Sequence, residues 1–396
     1  MISVLPLAFS EIFEIINRST PEDLSVYLVG GAVRDVFLKR DTHDLDFVQS
    51  HSAVETGRRV ANALNGDFYI LDSDRNTVRV IYTKPGNVRF ILDFAQYRGP
   101  DLINDLLHRD FTINAMAISI RDAEGLIDPL NGIQDLNSGI IRTCSETTFK
   151  DDPIRILRCV RFAVEYGFRI LPDTKKLIPN SLGKLEQVTQ ERKRDELFRM
   201  LEGPNPALAA RLLELLGAMD KILPDIPALR DNSIKPLHSN NGWERVLDTV
   251  KHINSILDIL GIEQQPETSG NWTSALFFLR LGRYRNNIHT HFADTITPGR
   301  SIRSLLLLAA LYLNIEEPNL YKLIEDETTD IRTVHLSSGA ILNNRARELR
   351  LSNKEIERLE IIVNNYTQPF LLTKSDTPQD RGVIYRYFRD YGPAGV

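Results

Sequence analysis

Residues 26–48, VYLVGGAVRDVFLKRDTHDLDFV, decide the reading of this chain. Apolar residues 26–29 predict a short strand, Gly30-Gly31 a turn, residues 32–39 a helix, and the run from Asp44 a second strand. A phosphate comes close to backbone only where no Cβ intervenes, and the start of a helix turns unpaired N–H groups toward it. Side chains alternate along a strand, so Asp44 and Asp46 share one face while Leu45 and Phe47 share the other. Paired carboxylates repel unless a cation lies between them, and hard oxygen ligands suit Mg²⁺. Either feature alone is common in proteins of every kind. A phosphate cradle followed at once by a carboxylate pair is the layout of metal-assisted nucleotidyl transfer.

Composition sets the frame around this stretch. A chain of 396 residues, 42% hydrophobic and 26% charged, has length for roughly two to four domains with buried cores. No run reaches the apolar length of a membrane span. The opening MISVLPLAFSEIFEIINRS carries acids and no basic region, so we expect an amphipathic first helix rather than a secretory signal. Cys144 and Cys159 are the only cysteines, which points to a reducing, cytoplasmic setting without a disulfide framework. The eight histidines lack zinc-site spacing. A formal net charge of −5 argues against indiscriminate coating of nucleic acid, DNA included. Positive charge is instead local: residues 139–200 hold 13 Lys/Arg against 9 Asp/Glu.

After a predicted helix at 52–64, FYILDSDRNTVRVIYTKPGNVRFILDFAQYR alternates like a β-meander, with turns at residues 74–76 and 85–87. Asp93 lies on the last of these strands. It is either a third carboxylate beside Asp44 and Asp46 or an unrelated strand-end acid. DLINDLLHRDFTINAMAISI then gives a short helix at 102–107 and Arg109, whose guanidinium suits a triphosphate. Asp110 and Asn114 would hold that loop or touch a sugar. In FKDDPIRILRCVRFAVEYGFRI, Asp151 or Asp152 caps a helix with Pro153 at its first position and Gly167 at its end. Arg155, Arg158 and Arg161 form a cationic stripe beside Ile154, Leu157 and Val160. Asp152 and Arg155 offer an acceptor and a fork of donors that complement a base edge, or simply an i,i+3 ion pair on a solvated face. Beyond residue 190 the pattern is helical: 243–260, 273–283, 300–313 and 353–366, after a polar linker at 230–242.

Four collinear motifs between residues 27 and 201, LVGGAVRD, DLD, RDFTINAMA and DDPIRILRCVRFAVEYGF, resemble the class II tRNA nucleotidyltransferase and bacterial poly(A) polymerase family. The resemblance implies an α/β polymerase-β-like nucleotidyltransferase head at 1–140. It further implies an all-α neck at 141–229 with a nucleotide-selecting helix, and a helical body and tail at 230–396. The implied activity is addition of C and A to the tRNA 3′ end from CTP and ATP, with Mg²⁺ and no nucleic-acid template. Carried over by position, Gly30, Gly31 and Arg34 contact triphosphate, and Asp44 and Asp46 hold Mg²⁺; Asp93 remains the candidate for a third catalytic carboxylate beside them. Arg109 and Asn114 contact phosphate and sugar, Asp152 and Arg155 read the base edge, and Arg158 and Arg161 neutralise the triphosphate.

The sequence also departs from the family. His108 stands where a second arginine is usual, and Asp151 where glutamate is usual. Members that add all three nucleotides often carry a longer loop between Arg98 and Asp101, so CC-only addition is a live alternative, as is poly(A) synthesis. The C-terminal half more weakly resembles a metal-dependent HD phosphohydrolase domain. Arg245 and Leu313-Asn314 replace expected ligands there, and only His335 matches, so we expect a degenerate scaffold without phosphohydrolase activity. The ending at RYFRDYGPAGV, where relatives continue, gives the expectation of a truncated chain. From other classes, a non-catalytic RNA-binding protein is disfavoured by the intact Asp44/Asp46 pair. A small-molecule nucleotidyltransferase is disfavoured by the long helical half.

Overall fold

Strand alternation in residues 26–96 supplies five strands of a seven-stranded sheet in a computed structural model of the chain. Residues 7–84, 86–121, 125–226, 242–260, 280–313, 331–373 and 380–395 are described. The chain divides into two units, residues 1–155 with 167–177, and residues 156–166 with 178–396.

In the first unit the strands are β1 (Val26–Val29), β2 (Asp44–Gln49), β3 (Asp67–Asp72), β4 (Thr77–Lys84), β5 (Val88–Gln96), β6 (Ala117–Ser119) and β7 (Leu126–Ile127). They lie in the order β3-β4-β5-β2-β1-β6-β7. Only β2 and β5 pair in parallel; the other neighbours are antiparallel. The meander forms as expected, with Asn76, Gly86 and Asn87 at positive φ in its turns. The helices are α1 (Leu7–Ser19), α2 (Gly31–Phe37), α3 (Ala53–Leu64), α4 (Leu102–Leu107), α5 (Gly132–Asn137) and α6 (Thr148–Asp151).

One sheet face, with Phe47, Leu92, Phe94, Val78 and Val80, is buried under α1 and α3. Phe13 of α1 meets Phe47 edge-on at 6.1 Å, and Phe47 stacks on Phe94 at 5.0 Å. Gly57 of α3 admits Val78, whose Cγ2 would lie 2.5 Å from a Cβ there. On the opposite face α4 covers only part: Leu102 and Leu106 pack with Val29, Val48, Ala115 and Ala117. Asp44 and Asp46, at the start of β2, remain exposed. The unit runs past residue 140 because Ile140–Ile141 pairs in parallel with Arg169–Ile170.

The selecting helix, α7 (Arg155–Tyr166), begins two residues later than Pro153. Asp152, in extended conformation, closes α6, and its carbonyl accepts from the Arg155 N–H at 3.1 Å. Gly167, at φ +68°, ends the helix as its sequence indicates.

Among its described residues the second unit is helical, apart from a two-stranded ribbon of Thr295–Thr297 with Arg300–Ser301. Helices Gly242–Leu260, Ile302–Tyr312 and Asn353–Asn365 match the expected segments, with Trp243 and Tyr312 fully buried. The expected helix at 273–283 and linker at 230–242 fall mostly outside the described residues, as do Asn314 and the side chain of His335. Arg245 is on the first of these helices. Among the described residues no helix is long and apolar enough to cross a membrane.

Candidate active site

The site grows from the end of β1. Gly30 adopts φ 74°, ψ −133°, a conformation that only glycine enters without strain. A Cβ at this position would sit 2.8 Å from Arg109 Nη1 and 3.6 Å from Asp46 Oδ2. The cationic and anionic side chains therefore converge on the one residue that leaves them room. Gly31 opens α2, and a Cβ there would meet Arg34 Nη2 at 3.4 Å.

Asp44 and Asp46 share the open face of β2, as alternation requires. Asp93 lies beside this pair: β2 and β5 run parallel with Asp46 in register with Asp93. Asp93 is held by Arg79 from the paired β4, whose Nε and Nη2 each donate at 2.8 Å. That bond, weakened by partial burial and reinforced by the Asp93, Asp44 and Asp46 charges, raises Arg79 above the ordinary arginine value. Although Asp46 keeps an exposed surface on the open face, the protein around its carboxyl desolvates it in part and pushes it up. Arg109 opposes the rise, Asp93 and Asp44 add to it, and Arg79 opposes it.

Arg109 is aimed by two supports: Asp105, which sequence reading did not single out, and Arg155, which it assigned to the base edge. Buried Asp105, one turn earlier on α4, accepts from Arg109 Nε at 3.2 Å and Nη2 at 3.1 Å. Arg155 Nη2 donates to the His108 carbonyl at 2.8 Å, and its Nη1 to the Arg109 and Thr148 carbonyls at 3.3 and 3.4 Å. Arg155 is thus buried against the 108–109 loop. The i,i+4 spacing of Asp105 and Arg109 was a readable signal, as was the register across the 85–87 turn that sets Arg79 opposite Asp93.

Arg34 and Asn114 meet each other: Arg34 Nη1 donates to Asn114 Oδ1 at 2.6 Å, while Asn114 Nδ2 donates to Asp110 Oδ1 at 3.0 Å. Arg34 Nε also donates to Asp35 at 2.9 Å. These buried groups form the floor beneath the glycine turn. Arg158 and Arg161 belong to the second unit, where Glu196 accepts from Arg161 Nε at 2.7 Å and lies 3.8 Å from Arg158. Among the described residues no group of three or more His, Cys, Asp or Glu is arranged to hold a metal ion.

A mixed sheet with a glycine turn at the end of β1 and a carboxylate pair on β2 defines a nucleotidyltransferase head. Residues 26–142 match the family model described as poly A polymerase head domain, and residues 167–229 the one described as probable RNA and SrmB-binding site of polymerase A. The first unit thus carries a head domain of the poly A polymerase kind. The chain is 34% identical over 290 residues to a CC-adding tRNA nucleotidyltransferase of Geobacter sulfurreducens, a match covering 73% of this chain and 59% of that protein. It is 33% identical over 270 residues to a multifunctional CCA protein of Pseudomonas fluorescens, covering 65% and 64%. The chain thus spans about three fifths of the length of these relatives. The solved complex of a CCA-adding enzyme with CTP shares the fold at a TM-score of 0.63 and 22% identity, covering 100% of this chain and 78% of that one.

Proposed function

We propose that this protein is a template-independent RNA nucleotidyltransferase that adds C, and then A, to the 3′ end of tRNA from CTP and ATP, releasing pyrophosphate. The convergence of Arg109 and Asp46 on Gly30, with Asp44 on the same face and Asp93 in register, carries the reading. The printed names of the relatives support the choice of tRNA and of these nucleotides.

Arg109 would draw phosphate oxygens of the nucleotide toward the bare backbone of Gly30. Asp44 and Asp46 would hold Mg²⁺; two hard carboxylates, one of them pushed upward by its surroundings, fit an ion that takes its remaining ligands from water and phosphate. When bound, the ion supplies Lewis-acid stabilisation of charge on the transferring phosphoryl group. Asp93, oriented by Arg79, would accept the proton of the attacking 3′-hydroxyl. The Arg34–Asn114–Asp110 floor would fix the glycine turn and bring Asn114 under the sugar. Base choice is assigned to Asp152 and Arg155, which requires the Arg155 guanidinium to leave its loop carbonyls when nucleotide binds. Arg158 and Arg161 are assigned to triphosphate charge, in exchange for Glu196. A tRNA substrate and two free thiols suit the cytoplasm.

A second reading, CC-only addition, is favoured by the short segment after β5. The Arg98 N–H donates to Asp105 at 3.0 Å, and Asp101 caps α4 by accepting from the Asn104 N–H at 2.7 Å, so the path is closed rather than extended. The test offers the purified protein tRNA lacking CCA, tRNA ending in CC and an oligo(A) primer, each with CTP or ATP. C incorporation on the first and A on the second supports full addition, and A missing from the second supports the CC-only reading. Extension of oligo(A) alone supports a poly(A) polymerase. No incorporation on any substrate overturns the enzyme assignment and leaves an RNA-binding protein.

A further inference from the structure

We propose that a cleft on the same sheet face binds the phosphodiester backbone of the RNA strand next to its reacting 3′ end, with Arg98 as the anchoring cation. The inference rests on the nucleotidyltransferase reading and gives its RNA substrate a subsite. The cleft, about 710 Å³, lies between the β3–β4 turn, with Asp72, Arg75 and Thr77, and the segment Gln96, Tyr97 and Arg98 after β5. Its size suits nucleotide-sized groups. Register ties it to the carboxylates: Arg79 opposes Asp93, so Thr77 and Ala95, each two residues away, continue the face that carries Asp93 and Asp46.

The order of strands supplies the argument for RNA. Gly30 follows β1, on one flank of Asp46, while β5 and β4 lie on the other. In an in-line displacement the nucleophile enters opposite the leaving group. A nucleotide whose phosphates lie at Gly30 and Arg109 therefore leaves the β5–β4 side for the strand that carries the 3′-hydroxyl.

Arg98 fits the task of holding that strand. Its side chain is exposed, and among the described residues its guanidinium has no hydrogen bond or ion pair, although its backbone is pinned to Asp105 at 3.0 Å. Gly99, at φ +100°, closes the segment against Asn104, whose Oδ1 leaves no room for a Cβ there. The guanidinium is thus presented by a fixed loop, which lowers the ordering cost of binding. Although the residue is exposed at the surface, desolvation of its guanidinium by the neighbouring protein pulls Arg98 below the ordinary arginine value; Asp105 opposes this, and the charges of Arg109, Arg155 and Arg75 add to it. An arriving phosphate relieves that repulsion. Tyr97 is held well above the ordinary phenol value by burial, with Tyr27, Asp105 and Asp101 contributing, and so stays a neutral donor. Two acids also line the cleft: Asp72 accepts from the Arg75 N–H at 3.0 Å and lies 3.7 Å from its guanidinium, and Asp74 lies in the β3–β4 turn, which leaves Arg98, among the described residues, as the cation of the cleft without an acid bonded to its guanidinium.

The test measures CMP transfer to tRNA lacking CCA, and tRNA binding across a salt series, for wild type, Arg98→Ala and Arg98→Lys. Arg98→Ala should raise the Kd and KM for tRNA about tenfold and lower the salt slope by about one, with the KM for CTP unmoved. Arg98→Lys should recover most of the loss. A tRNA Kd and salt slope equal to wild type, or a loss that falls on the KM for CTP, overturns the cleft while the enzyme reading stands. Wild-type protein that neither binds nor extends tRNA overturns the enzyme reading, and the cleft with it.

Discussion

Replacing Gly30 with alanine strikes the point on which the proposed site converges. Two costs can be worked from the structure. At φ 74°, ψ −133° a Cβ strains the backbone by about 1–3 kcal/mol. The same Cβ would lie 2.8 Å from Arg109 Nη1, so the guanidinium must retreat by about 0.6 Å to reach ordinary contact. It cannot retreat freely, because its Nε and Nη2 are bonded to buried Asp105. Displacements of this order at a phosphate-binding group cost about 10–100-fold in rate. Gly31→Ala is the control: its φ is not positive, and its Cβ would meet Arg34 Nη2 at 3.4 Å, the edge of ordinary contact. Urea denaturation should show Gly30→Ala about 1–3 kcal/mol less stable than wild type, and Gly31→Ala within about 0.5 kcal/mol of it. CMP-transfer kinetics should show the larger loss of kcat/KM for CTP in Gly30→Ala. If the two variants matched each other in both measurements, the convergence at Gly30 would not be what organises the site.

Asp46→Asn tests the charge balance. An acid raised in the folded state contributes stability while protonated, and that contribution is lost as pH rises through its folded value. At neutral pH the variant should therefore melt higher than the metal-free wild type, and Mg²⁺ should raise the Tm of wild type only; a lower Tm refutes the reasoning. In the second unit, burial pushes Glu355 up, but bonds from Arg300 and Ser352 outweigh it and leave the carboxyl lowered. Its contribution is present above the ordinary glutamate value and is lost as pH falls through the folded one. Glu355→Ala strands buried Arg300 and should cost about 3–5 kcal/mol, with a flatter acid limb in stability against pH; an unchanged acid limb contradicts this. Arg155→Ala should relax discrimination of CTP and ATP against UTP more than it slows CMP transfer. Equal slowing for every nucleotide would leave Arg155 as a support of the 108–109 loop alone.

The local parts of this site were legible because they obey local rules. Two-residue alternation put Asp44 and Asp46 on one face, and the glycine pair marked the turn that Gly30 makes. The pairing of Asp46 with Asp93 was not legible, since parallel strands separated by a helix and a hairpin find each other through the shared core under α1 and α3. The helix after Asp152 shows the same limit. Its Asp-Pro start promised a cap, yet the chain turns once more and begins α7 at Arg155, whose guanidinium satisfies buried loop carbonyls that no spacing rule reveals. Arg34 and Asn114, read separately, are partners across 80 residues of sequence.

The most direct test of the central claim is transfer of labelled CMP from CTP to tRNA lacking CCA, with Mg²⁺, by wild type and by folded Asp44→Asn and Asp46→Asn proteins. The account predicts incorporation by wild type and its loss in both variants. Undiminished transfer by either variant would contradict it.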